Sequence, residues 1–168
     1  RSAGAGARVP VAAPRAAAAG IFFATALLLS AIVSAAADDR LSLYAYRDTR
    51  SLVALVEEAA TLLEQKGEQA FKELGQKDSK WFNDDYYFFV YALDGVCLFH
   101  PITPELIGKN IMALHDMNGK PTIREITDVG RKSEPDANGW VFYLWQDRIQ
   151  LTPAWKSAYI RKVTAPSG

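Results

Sequence analysis

A histidine closes an apolar run and is followed at once by proline in LFHPITPELIGKN (residues 98–110). Proline fixes its own φ and holds the residue before it extended. His100 is therefore presented at a strand end with its ring in a set direction. An imidazole there can donate a hydrogen bond to a carboxylate, or it can be a satisfied histidine that caps the strand. Lys156, in WKSAYI, is a cation to set beside Tyr143 and Trp145, which share one face of FYLW. A positive charge with two amphipathic rings suits a small organic anion: charge compensation plus an apolar wall with polar tips. The plainer reading makes Lys156 an edge-strand solubiliser and the aromatics core. Tyr91 neighbours His100 across the hairpin described below. Arg124, just past Pro121, can reach inward as a carboxylate fork or pair on the surface with Glu125 or Asp128.

Other chemistries find little. His115-Asp116 with His100 and Cys97 fits no metal-ligand spacing, so no metal is expected. There is no GxSxG, no HExxH and no phosphate loop, so no enzyme and no cofactor are expected. Cys97 is the single cysteine, which rules out an intrachain disulfide and a CxxC motif. The 168 residues carry 19 basic and 19 acidic side chains. Three of the basic ones, Arg1, Arg8 and Arg15, fall in the acid-free residues 1–37, leaving 16 against 19, about −3, for the rest. No basic stripe of the kind nucleic acid needs is present.

Residues 1–37 read as an address. RSAGAGARVPVAAPRAAAAG is low-complexity, IFFATALLLSAIVS (21–34) is an apolar h-region, and AAADD supplies an A-x-A cleavage site near residue 37. Retention as an N-terminal anchor is the alternative. The long Arg-bearing lead, with a transit part over 1–15, resembles a bipartite algal or plant presequence. That favours the thylakoid lumen, with a bacterial periplasm second. Either places the folded part beyond a membrane.

These side chains need elements to position them. Apolar residues at Leu41, Tyr44, Ala45, Leu52, Leu55, Val56, Ala59, Leu62, Leu63, Phe71 and Leu74 recur at spacings of three and four, which predicts an amphipathic helix of around thirty-five residues. Gly67 bends or breaks it and Gly75 ends it as a C-cap. Such a helix crosses a sheet, or docks a membrane-protein partner or a second copy through residues 41–74. YYFFVYALDGVCLFH predicts a hairpin around Asp94-Gly95. A two-residue turn there pairs Leu93 with Val96, Tyr91 with Leu98 and Phe89 with His100, and aims Phe88, Val90, Ala92, Cys97 and Phe99 the other way. Both faces are apolar, so both must be covered, one by the long helix and one by residues 101–135. PELIGKNI reads as a short helical turn, PTIREITDVGRK as a helix opened by Pro121 and closed by Gly130, and 139–145 and 154–163 as strands. The order gives an α+β domain whose antiparallel sheet has four to five strands, with short helices inserted.

The stretches YYFFVYALDGVCLFHP, LIGKNIMALHDMNGKPTIREI, GWVFYLW and WKSAYIRKV, in this order, resemble the single Cache domain, type 2, a family of PAS-like extracytoplasmic sensor modules. The resemblance covers residues 40–163, which places the domain at 38–163 and leaves 164–168 as a tail. It implies a small ligand, often a short carboxylate, held between the sheet and its loop cover. With only five residues beyond the last strand, a module without its own output domain is expected. The competing expectation is a structural or assembly subunit of a membrane-associated complex.

Overall fold

The computed structural model describes residues 47–147 and 150–166. The address segment and the start of the expected leading helix lie outside the described residues. Helix α1 (Arg47–Lys66) buries Val53, Ala59, Ala60 and Leu63. Every fully exposed side chain along it is polar. Gly67, at φ +56°, ends it; a left-handed backbone cannot continue a right-handed helix, and glycine adopts it without penalty. A 3₁₀ turn (Gly67–Ala70) and a one-turn helix α2 (Phe71–Leu74) follow. The continuous long helix expected through residue 74 is thus interrupted. Gly75 is not a left-handed cap either, with φ −89° and ψ 0°. Its lack of a side chain serves Phe99, whose ring would stand 3.3 Å from an added Cβ.

Strands β1 (Val90–Tyr91) and β2 (Cys97–Phe99) form the first antiparallel pair. Their turn has three residues, not two: the Ala92 N–H donates to the Val96 carbonyl at 2.8 Å, and the Gly95 N–H donates to the Ala92 carbonyl at 2.9 Å. Gly95 takes φ +92°, the left-handed position of a three-residue hairpin loop. The register therefore differs from that expected. Val90 pairs with Phe99 and Tyr91 with Cys97, leaving Leu98 as an extra residue between them. A bulge of this kind re-aims the side chains on either side of it. Phe99 joins Phe88 and Val90 in a cluster against Ala59, Leu63, Leu74 and Trp81. Cys97 joins Phe89 and Tyr91 in a second cluster with Ile111, Ile123, Ile126 and Val141. Cys97 thus lies on the face opposite to the one its expected pairing assigned.

The second cluster is roofed by α3 (Thr122–Gly130), which starts just after Pro121 and buries Thr122, Ile123, Ile126 and Thr127. Its closing Gly130 meets Leu93, whose Cδ2 would be 2.8 Å from an added Cβ. A 3₁₀ turn (Pro104–Leu106) lies in the irregular segment before it. Strands β3 (Asn138–Gln146) and β4 (Pro153–Arg161) pair antiparallel over nine consecutive residues without a slip. The described residues thus hold four strands in two antiparallel pairs, not one continuous sheet. Arg161 ties β4 to α1: its Nε donates to Glu57 Oε2 at 3.0 Å, with side chains only 8% and 13% exposed. No helix among the described residues is long and apolar enough to cross a membrane.

Candidate ligand-binding site

Alternation along the first hairpin brings Phe89 and Tyr91 to one side, their rings stacked at 4.8 Å and 20°. His100 comes to the same side, just past the bulge, and is 8% exposed. Its ring lies 5.4 Å from Tyr87 and stacks on Phe89 at 6.3 Å and 14°. Nδ1 accepts the Thr103 backbone N–H at 3.1 Å. An accepting Nδ1 has a lone pair, so the neutral ring carries its proton on Nε2. Burial lowers the imidazole pKa, with Glu105 opposing, and the ring is neutral at pH 7. Tyr143 enters from β3 and packs on the same cluster as Tyr91. Burial pushes the Tyr91 phenol far above its ordinary value, helped by Cys97, Tyr87 and Tyr143. Burial does the same for Tyr143, with Tyr87 adding to it. Tyr91, Tyr143 and His100 are therefore uncharged and carry hydrogen-bonding tips on aromatic bodies, with the Tyr87 ring beside His100.

The remaining expected residues lie at the margin. Trp145 meets Tyr143 edge-on at 6.4 Å and 83°. It borders a shallow cleft of about 390 Å³ shared with His115, Asp116, Met117 and Gln146. Lys156 stands opposite Tyr143 in the ladder, but its Nζ reaches Asp147 Oδ2 at 2.9 Å. Arg124 is exposed on the outer side of α3 and does not join the group. The acids proposed as its surface partners pair elsewhere, Glu125 with Lys120 and Asp128 with Arg131, both at 2.7 Å.

Sequence reasoning missed three contributors. Tyr87 was one aromatic among many in YYFFVY. Asp147 gave no signal apart from its place before a turn. Asp116 did: Asp-x-Asn-Gly is a side-chain-closed turn. Its Oδ1 accepts the N–H groups of Asn118 (2.8 Å) and Lys120 (2.9 Å), and Oδ2 accepts that of Leu144 (2.9 Å). These bonds, Leu144's first, hold the buried carboxyl below the usual range. Asp116 thereby pins the 115–120 loop to β3 and borders the cleft beside Trp145. Among the described residues, no three His, Cys, Asp or Glu side chains come together in a metal-holding group.

The profile of the family Single Cache domain 2 matches residues 50–165. The chain belongs to this family. Among solved structures, this Cache domain is similar to a methyl-accepting chemotaxis protein from Vibrio parahaemolyticus, at TM-score 0.52 and 21% identity, over 74% of this chain and 83% of that one. It is similar to a periplasmic sensor domain of a chemotaxis protein at TM-score 0.50 and 22% identity, over 87% and 91% of the two chains. A third neighbour, at TM-score 0.46 and 24% identity over 84% and 86%, is a Cache chemosensory domain described for carboxylic acid recognition. The first two likenesses concern the fold.

Proposed function

We propose that the chain is the ligand-binding module of an extracytoplasmic sensor and takes a small organic carboxylate on the inner side of its first hairpin. His100 Nε2 and the Tyr91 and Tyr143 hydroxyls are the neutral donors, Tyr87, Phe89 and Trp145 the aromatic wall, and Lys156 the compensating charge. One observation carries this reading: three tyrosines and an uncharged histidine gather where packing alone needs none of their polar tips. A core that required only volume would be filled at less cost by Phe or Leu. Membership of a family of sensor modules supports binding over catalysis. The export pattern of residues 1–37 supports a location beyond a membrane, and its acid-free, Arg-bearing lead supports the thylakoid lumen over a bacterial periplasm. Docking through the leading helix finds less support, because the most exposed side chains of α1 between Arg47 and Lys66 are all polar.

The test is a thermal-shift screen of short mono- and dicarboxylates. A ligand at a hundred times its dissociation constant stabilises the native state by about 2.7 kcal/mol, several degrees in Tm for a domain of this size. Tyr143→Phe, which keeps the ring and removes the hydroxyl, should keep the basal Tm and lose most of the ligand response. A panel that leaves Tm unmoved at millimolar concentration sinks the reading.

A further inference from the structure

Lys156 belongs to the site by its backbone but not by its ammonium. The residue stands opposite Tyr143, while its Nζ runs along the strand to Asp147 Oδ2, 2.9 Å away at the neck of the β3–β4 turn. Ala154, the next residue of β4 on that face and the partner of Trp145, is small enough to let the lysine stem pass. Asp147 is built into the turn. Its Oδ1 accepts the Gln150 N–H at 2.9 Å and its carbonyl accepts the Leu151 N–H at 3.1 Å. Its own N–H donates to the Thr152 carbonyl at 2.7 Å. The Lys156 and Asp147 side chains are 35% and 24% exposed. A pair this open to water is weak and readily exchanged.

We propose that Asp147 is a built-in competitor for the ligand's carboxylate. The inference rests on the carboxylate reading above and names the residue that sets its selectivity. Without ligand, Lys156 is neutralised by Asp147. An arriving carboxylate takes the ammonium as the lysine swings back toward Tyr143, and Asp147 turns to water with Oδ1 still closing the turn. One ion pair is exchanged for another, so charge alone gives an anion no advantage. The ligand must add contacts of its own, to the Tyr143 hydroxyl and His100 Nε2. Simple anions are thereby rejected and organic acids that fill the aromatic wall are accepted.

The experiment is calorimetric titration of the full chain with acetate, propionate, lactate and succinate at low salt. Wild type is compared with Asp147→Asn, Lys156→Met and the double variant. In Asp147→Asn the side-chain amide keeps an oxygen for the Gln150 N–H, so the turn survives while the competing charge is lost; an unchanged Tm without ligand checks this. Asp147→Asn should tighten the best binder about threefold to fivefold, the worth of a partly exposed ion pair. It should also relax selectivity against acetate. Lys156→Met should weaken binding, and adding Asp147→Asn to it should bring no gain. Wild-type binding that Asp147→Asn leaves unchanged or weakens overturns the inference while the carboxylate reading stands. A gain that persists without Lys156 also overturns it. No binding by any variant removes both.

Discussion

The backbone N–H of Thr103 donates to Nδ1 of His100 at 3.1 Å, so the imidazole holds its own loop in place before it meets any ligand. The proline that follows keeps the backbone extended, and the ring folds back onto the turn it begins.

This bond makes the loop sensitive to acid. Protonation fills the lone pair that Thr103 uses. Burial lowers the His100 pKa in the folded state, with Glu105 opposing, against about 6.5 when unfolded. Below that value the unfolded chain binds more protons, so stability falls as pH drops from about 6.5 toward the lowered folded value. Tm should be level above about pH 7 and decline below about pH 6.5. His100→Gln should flatten that part of the profile. Parallel wild-type and variant profiles would show that His100 contributes nothing to the acid response.

Arg161 and Glu57 should behave as a buried pair. Arg161→Met leaves the Glu57 carboxylate, 13% exposed, without its guanidinium. Breaking such a pair costs about 3–5 kcal/mol. Glu57→Gln combined with Arg161→Met should recover much of the loss, since the buried carboxylate is removed together with the guanidinium. Urea denaturation of the two single variants and the double variant measures the coupling; a value under about 1 kcal/mol would reduce the pair to a surface contact.

Gly95 is required twice over. Its φ is +92°, and a Cβ there would stand 2.9 Å from both Cβ and Cε of Met112. Gly95→Ala should destabilise by about 1–3 kcal/mol. Met112→Ala in the same chain should remove the contact with Cε but leave both the contact with Cβ and the backbone cost. If the double variant regains full stability in chemical denaturation, the dihedral carries no cost.

The sequence showed the elements better than their rotation and register. Helix α3 begins and ends at Pro121 and Gly130 because proline and glycine act locally, whatever the rest of the chain does. The apolar stripe of α1 was legible, yet Val53, fully buried, was left out of it. Apolar residues from Leu52 to Val56 blur which side faces inward. The hairpin was legible and its register was not. Val96, Cys97, Leu98 and Phe99 are all apolar, so a slip of one residue changes the faces without any change in pattern. The place of His100 beside Phe89 was legible, because Pro101 fixes the strand end on which it stands. The Asp147 partner of Lys156 was not, because its reach depends on the path of a turn and the small Ala154 beside it.

Leu98 leaves the two sides of the domain mechanically joined. Cys97 packs with Tyr91 in one cluster, while Phe99, two residues on, stacks on Phe71 at 5.0 Å and 16°. A strand of three residues gives no slack between these contacts. A substitution that displaces Cys97 is therefore expected to disturb the Phe71–Phe99 stack as well, because only Leu98 separates the two contacts along the chain.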